Sequence, residues 1–559
     1  MKNELDSKEV EFGTIDLSDV PTYQVESTDT PERRSLGGDE GGIFNDPQAD
    51  GLHRSLTSRH ITFIGFGGGI GVGLFVGIGQ AYAIAGPLGI LLSYAITGTL
   101  VWCVIQSIGE IVTKYPVDAS FPGLATRFVE PALGFTVGWT YWFNMAISVA
   151  VEVTAIAVLV EYWTESISSA VWIAIGLVVI YCANSLPVRF YGETEVFTAC
   201  IKVITLIGLM ICGLVITCGG APDHKTRGFE YWRNPGPINE FPGISGDLGR
   251  FLAFFYTLTS AAFAYGGTEV IVLAGAEAKN PSTQIPKNVR LFVYRQLFFY
   301  VGGAFMIGLM LPSDQPELVN GAGNGNSSPW VIAIKLAQIK VLPSIVNAAI
   351  ITSAASAGNT YLYIAARTLR GLALNGHAPK FLAKTTKRGV PLFAVACSAP
   401  IGLLAFLSSG SGGAAQAFDW LQSLIALNNT LNWGMLSLVY IRFYKAMKAQ
   451  DISRKTLVWH GVLQPYAAWF ALVFCMVVCL FKGFPVFLSG RWNAPDFVAA
   501  YISFVVYIIP YVGYKLLKKS KIVPVAEADL NSNIINPWDI SEERPATKWY
   551  HKAWRSVSQ

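Results

Sequence analysis

The chain has 559 residues, of which 52% are hydrophobic and only 14% charged, with a formal net charge of +4 and a positive mean hydropathy. Soluble domains carry about 25% charge, so this composition excludes an ordinary globular protein and indicates a chain that crosses a membrane many times. The charge excess implies no nucleic-acid partner, and no P-loop, GxSxG or metal-ligand spacing suggests an ATP-driven pump, a membrane hydrolase or a cofactor.

Residues 1–58 are polar, rich in Asp, Glu, Ser and Gly, and read as a disordered cytoplasmic tail without a cleavable leader. Apolar runs of about 20 residues, the length that crosses roughly 30 Å of hydrocarbon, then recur twelve times. They lie near 61–84, 87–110, 133–160, 170–186, 194–218, 249–275, 293–312, 343–364, 392–409, 417–441, 465–483 and 497–517. All eight cysteines fall within or at the end of apolar stretches and read as small buried side chains, not a disulfide framework or metal site. The connections 277–295, 366–390 and 442–458 hold four, six and five Lys or Arg, while 313–328 and 409–416 hold none. The positive-inside rule puts the basic connections and both termini in the cytoplasm. That arrangement predicts a twelve-helix domain over 59–518 and a cytoplasmic tail over 519–559. The 219–248 connection, expected outside, carries Lys225, Arg227 and Arg233 but also four acids.

Two of the runs contain glycine clusters at mid-membrane depth: Gly67–Gly73 in the first and Gly266-Gly267 in the sixth. Glycine weakens a helix by roughly 1 kcal/mol per residue. An unpaired backbone group in hydrocarbon costs several kcal/mol, so such breaks persist where they line a cavity or bind something. Broken helices in corresponding places of two repeats point to a transporter site, and five helices per repeat fits an inverted pair, 1–5 and 6–10, with two helices appended. Unwinding at Gly68, Gly69, Ile70, Gly71, Val72 and Gly73 would present N–H groups to a carboxylate. Unwinding at Tyr265, Gly266, Gly267 and Thr268 would present carbonyls to an ammonium group. Together they complement an α-amino acid.

Four ionisable residues of the runs stand out: Glu110, Glu152, Lys202 and Glu269. Charge at that depth costs about 3 kcal/mol, which makes such residues functional candidates. Glu269 follows the sixth-segment break directly, and with Lys202 and Glu152 it is the expected coupling and gating set. Glu110 is expected to serve fold or gating at the cytoplasmic end. Tyr265 is a candidate aromatic gate, and Asn359 is expected to bond freed backbone. No Asp or Ser/Thr cluster suggests sodium, so protons are the expected coupling ion. No arginine in the interior of the runs offers itself to a side-chain carboxylate. Asn326-Ser-Ser matches a glycosylation acceptor, and Lys2 and Lys8 are candidate sites for ubiquitin-ligase adaptors.

Several blocks resemble the fungal amino-acid permease family of the amino acid–polyamine–organocation superfamily. They are Leu56-Thr-Ser-Arg-His60, Gly68-Gly-Ile-Gly-Val-Gly-Leu-Phe75, Gly109-Glu110, Arg127-Phe-Val-Glu-Pro-Ala-Leu-Gly-Phe135, Gly267-Thr-Glu269 and Gly275-Ala-Glu-Ala-Lys-Asn-Pro281. Asn359, Tyr363, Arg367-Thr-Leu and Gly376-His-Ala-Pro-Lys380 continue the match, and Lys202 aligns with the family's fifth-helix lysine. The resemblance covers Leu56 to Val523. It implies an all-α LeuT-like fold in the lipid bilayer and proton-coupled import of amino acids across the plasma membrane by alternating access. Gly219–Lys225, Gly228–Gly236 and Phe481-Lys-Gly-Phe-Pro-Val-Phe-Leu488 look closest to the dicarboxylic branch, although none is expected to line the site. Against the family pattern, Val72 replaces a common Thr and Ala366 a Ser, and Glu152 stands where the dicarboxylic branch tends to have an amide. An anionic Glu152 would repel an acidic side chain. A dicarboxylic-specific permease, a non-transporting amino-acid sensor and a polyamine carrier on the same fold remain the alternatives.

Overall fold

A computed structural model describes Phe63 and residues 69–532, apart from 117–119, 165, 271, 273–280, 320–327 and 410–413. The expected N-terminal tail, Lys2, Lys8, Gly67, Gly68 and Asn326 lie outside the described residues. Among the described residues the chain is helical, with one isolated bridge between Cys218 and Thr226.

A π-turn over Gly73–Gly77 leads into α1 (Ile78–Lys114). Gly86 inside it has φ 71° and ψ −179°, and Pro87 follows. Glycine reaches positive φ readily and proline has no N–H to continue the ladder, so the helix breaks there. This break separates the first and second expected segments. The 219–248 connection covers it: Asn239 Nδ2 donates to the Ala83 carbonyl (2.9 Å) and Leu88 N–H to Pro237 (2.8 Å).

Next come α2 (Phe121–Phe128), α3 (Pro131–Val160), α4 (Ser169–Asn184), α5 (Val188–Thr217) and α6 (Gly246–Ala264). α7 (Pro281–Arg295) continues through a π-turn, Gln296–Val301, into α8 (Gly302–Met310). α9 (Pro329–Leu336), α10 (Leu342–Leu374), α11 (Leu392–Gly402), α12 (Ala414–Ala449), α13 (Tyr466–Phe481) and α14 (Ala494–Lys518) complete the bundle.

Among the described residues, seven helical stretches are both long and apolar enough to cross a membrane. α10 and α12 are outside that set although they run 33 and 36 residues. Polar side chains lower their hydropathy, and those side chains are buried: Ser353, Ser356 and Asn359 on α10, Asn428 and Asn429 on α12. α5 shows the same inversion. Phe197, Ile204 and Ile211, seven residues apart, are 68%, 70% and 59% exposed, whereas Glu195, Lys202 and Leu209 on the opposite face are buried. Apolar outside and polar inside reverses the pattern of a soluble helix, and hydrocarbon is the solvent that favours it. α3 sits centrally and packs most extensively against α10.

Two boundaries differ from the sequence reading. The seventh stretch runs Thr283–Met310, starting earlier than 293, so most of the expected 277–295 connection is helical and Arg295 at its end is buried. The first residues of the expected C-terminal tail are folded onto the bundle: Tyr115 donates to the Leu530 carbonyl (2.8 Å), Arg127 to the Asp529 and Ser532 carbonyls (both 2.7 Å), and Val523 N–H to Val129 (2.9 Å).

Candidate functional site

The two glycine-interrupted segments meet in the structure. A Cβ built on Gly73 would lie 2.7 Å from Ala264 Cα, and one on Gly69 would lie 3.3 Å from Thr268 Cγ2. Such backbone contact is open only to residues without a side chain. In the sixth segment α6 ends at Ala264, a turn runs through Tyr265–Glu269 with Gly267 at φ 75°, and helix resumes at Val270.

Freed backbone groups find side-chain partners, as burial requires. The Gly69 carbonyl accepts from Tyr300 (3.1 Å), that of Ile70 from Ser353 (3.1 Å) and that of Gly77 from Ser260 (3.1 Å). Asn429 on α12 braces the other side. Its Nδ2 donates to the Ala262 carbonyl (3.2 Å), and its Oδ1 accepts from Asn144 of α3 (2.7 Å).

The amide cradle of the first segment is occupied by the protein itself. Glu152 of α3 accepts the Val72 N–H at both carboxylate oxygens (3.4 and 3.3 Å), and a Cβ on Gly71 would collide with that carboxylate. Beside it lies a cavity of about 10 Å³ lined by Ser148, Glu152, Phe263, Gly267, Tyr361 and Asn429. That is room for about one water molecule. The site is therefore closed, with a carboxylate of the chain where a ligand carboxylate was expected.

Glu269, at the end of the Tyr265–Glu269 turn, is buried and accepts from Trp433 Nε1 of α12 (3.3 Å). Lys202 Nζ lies 3.9 Å from Glu195 Oε1, seven residues earlier on α5. The other Glu195 oxygen accepts from Ser356 (2.8 Å) and Thr360 (3.3 Å) of α10. Lys202 also interacts through space with Glu152. Glu195 is absent from the sequence reading because it sits at the very start of the fifth run. Its seven-residue spacing from Lys202, which puts both on one face, is the signal that identifies it.

In this closed arrangement three residues lie otherwise than the sequence suggests. Tyr265 does not close over the cavity: its hydroxyl donates to the Tyr94 carbonyl (3.0 Å) and its ring stacks on Tyr300 at 4.4 Å, while Tyr361 lines the cavity instead. Among the described residues, the Asn359 side chain bonds a neighbouring helix and not freed backbone. Its Oδ1 accepts from Asn184 of α4 (2.7 Å), and Ser353, nearly two turns earlier on α10, makes the backbone bond. Arg295, placed in a cytoplasmic connection by the sequence, is buried beside Tyr265, Tyr300 and Tyr361. Glu110 ties the end of α1 to the connection after α12, accepting from Arg454 at both oxygens (2.9 and 2.7 Å), from the Gly461 N–H (2.7 Å) and from Tyr440 (3.0 Å).

Comparison with known proteins agrees with this arrangement. Residues 60–526 match the amino acid permease family. The chain is 37% identical over 532 residues to a dicarboxylic amino acid permease of Saccharomyces cerevisiae, covering 94% of this chain and 86% of that protein. It is 39% identical over 517 residues to a lysine-specific permease of the same yeast, covering 91% and 83%. A proline-specific permease of Emericella nidulans is 37% identical over 511 residues, covering 90% and 92%. With buried polar faces, apolar outer faces and similarity along nearly its whole length, the chain belongs to the amino acid permease family, as a multi-pass membrane transporter with fungal relatives and not an enzyme.

Proposed function

We propose that the chain is a proton-coupled amino-acid importer of the plasma membrane, with both termini cytoplasmic. In this reading the membrane domain spans 59–518 and has twelve helices, the first ten forming two inverted five-helix repeats. The substrate site lies between the first, third, sixth and eighth spans. The amides of Gly68, Gly69, Ile70, Gly71, Val72 and Gly73 receive the substrate carboxylate. Carbonyls of Tyr265, Gly266, Gly267 and Thr268 receive its ammonium group. Glu152, Glu269 and Lys202 couple and gate the cycle, and Asn359 supports it from α10 through Asn184.

The observation that carries this reading is the Glu152 carboxylate on the Val72 amide. The contact supports a fit between cradle and carboxylate, and in this reading Glu152 is the competitor of the substrate. When Glu152 takes a proton and withdraws, the substrate carboxylate replaces it, so proton and substrate load together. A ligand shifts a conformational equilibrium only through differential affinity, and this exchange supplies it.

The lining of the closed cavity includes Glu152 but, among the described residues, no Lys or Arg. That favours a neutral or cationic side chain over an acidic one. A dicarboxylic substrate is the second reading, supported by Arg295 behind Tyr361, whose movement would bring a guanidinium to the site.

The test is uptake of labelled glutamate, a neutral and a cationic amino acid in permease-deficient yeast, at acid and neutral external pH, with Glu269→Gln alongside. Saturable uptake that rises in acid and falls in the variant is expected. No uptake by protein verified at the cell surface would overturn the importer reading in favour of a sensor or a polyamine carrier.

A further inference from the structure

A larger cavity, of about 660 Å³, lies outside the closed site. It is bounded by the start of α1, by α6, by the first turns of α12 and by the α13–α14 connection, at the end of the bundle away from Glu110 and Arg454. Its lining includes Gln422, Lys482, Arg491 and Asp496. Lys482 belongs to the Phe481–Leu488 block that the sequence comparison left without a role.

The cavity stands on the approach to the closed site. Gln422, Ser423 and Ala426 of α12 line it, and Asn429, three residues beyond, lines the inner cavity. Three residues of helix are about 4.5 Å. The partition is thin: Ser260 donates to the Gly77 carbonyl (3.1 Å), Gln422 donates to Ser260 (3.5 Å), and Phe263 faces the inner side.

The charges in the outer cavity are only partly balanced. Lys482 is over nine-tenths buried, and its ammonium donates to the Ser423 carbonyl. Arg491 donates to the Pro242 carbonyl (2.6 Å) and packs on Phe241. Neither has an acidic partner within 4.0 Å among the described residues. The one acid in the lining, Asp496, accepts from Trp420 Nε1 (3.0 Å) and Asn493 (2.8 Å). Ser423 and Trp420 are three residues apart on α12, so the buried cation and the carboxylate are anchored one helical turn from each other. A buried ammonium held only by a carbonyl is short of an anion.

We propose that this cavity is an outer subsite for the transported amino acid, in which Lys482 binds the α-carboxylate and Asp496 the α-ammonium before transfer to the inner site. The proposal rests on the amino-acid importer reading for its ligand but on different residues for its chemistry.

The experiment uses the full chain, purified into lipid nanodiscs, and equilibrium binding of labelled leucine, lysine, glutamate and proline, each alone. Gly71→Leu fills the inner cradle, because any side chain there meets Glu152. Saturable binding should persist in Gly71→Leu at about one site per chain. Adding Lys482→Met should weaken it by about tenfold or more, and Lys482→Arg should restore it to within roughly threefold, as expected for a charge-assisted bond. Monodisperse elution verifies that each variant is folded. Loss of all binding in Gly71→Leu while the wild type still binds overturns the outer subsite, as does binding in Gly71→Leu that Lys482→Met leaves unchanged. Lys482-dependent binding without uptake in cells upholds the subsite and removes only the importer reading.

Discussion

Glu152→Gln separates the two tasks assigned to that side chain. Glutamine keeps the length of the glutamate and one oxygen to accept the Val72 N–H, but it cannot take up and release a proton. The cradle contact should weaken by roughly 1 kcal/mol, the difference between a charged and a neutral hydrogen bond. The coupling loss is larger. One proton moving through 100 mV is worth about 2.3 kcal/mol, which corresponds to roughly fiftyfold accumulation of substrate. Reconstituted into liposomes with an imposed proton gradient, the variant should therefore exchange labelled for unlabelled substrate at rates near the wild type. It should fail to accumulate substrate and lose its stimulation by acid. A Glu152→Gln protein that still accumulates substrate with wild-type pH dependence would falsify the coupling role and shift it to Glu269. A folded variant that loses exchange as well as accumulation would also refute the reasoning, because it would make the charge a requirement of binding alone.

Gly73→Ala should nearly abolish uptake at normal surface abundance, since its Cβ meets Ala264 Cα at 2.7 Å and backbone cannot step aside as a side chain can. The overpacking should cost about 1–3 kcal/mol. Gly208→Ala, with nothing within 4 Å of its Cβ, is the matched control, and transport beside surface fluorescence reads both. Glu195→Gln leaves the Lys202 ammonium buried without its ion-pair partner, and breaking a buried pair costs about 3–5 kcal/mol. Thermal denaturation in detergent should show a large loss that Glu195→Gln/Lys202→Met recovers, whereas concentrative uptake stays absent in both. Asp529 titrates below its ordinary value of 3.8: burial pushes it up, but bonds from Ser532 and Asn531 and the nearby Arg127 outweigh burial. A carboxylate held low contributes stability above its ordinary value and loses it as pH falls through the lowered one. Hydrogen exchange over 523–532 should therefore accelerate in that acid range, and Asp529→Asn should exchange faster at neutral pH; equal protection in both proteins at every pH would refute this.

The fold was legible wherever one solvent decided a residue's place. The apolar runs announce segments in contact with lipid, and the glycine clusters announce the two broken segments. The sequence read less well where partners come from distant helices. Tyr265 looks like a gate in one dimension because it adjoins the break, but the direction of its ring is set by Tyr94 and Tyr300, neither adjacent in sequence. Asn359 and Ser353 lie on the same helix, and only the rotation of α10 against α3 and α4 decides which of them meets freed carbonyls. Arg295 was hidden by charge itself: a basic residue after Lys287 and Arg290 reads as a cytoplasmic connection, until burial among tyrosines shows a helix extending past it. The outer cavity was invisible for a different reason, since its walls come from four elements distant in the chain.

Charge counting around the cradle links the remaining parts of the proposed mechanism. Lys202 faces two carboxylates, Glu195 at 3.9 Å and Glu152 through space. Glu195 is fixed by Ser356 and Thr360, so its charge stays where it is. Glu152 is held by the backbone of the segment that must open, through two bonds longer than 3.2 Å. These three groups when ionised carry one surplus negative charge among themselves, with the Arg295 guanidinium also acting on Lys202, and a proton on Glu152 removes that surplus. A substrate carboxylate entering the cradle then restores the original balance. Substrate without proton would place a third carboxylate around one ammonium, and a protonated Glu152 that withdraws without substrate would leave the Val72 amide without its acceptor. Each half-loaded state is penalised by Coulomb repulsion or by an unsatisfied buried donor. In the proposed cycle, coupling would then require no separate latch: it would follow from placing one carboxylate that withdraws between a fixed ion pair and an unwound, glycine-built amide cradle.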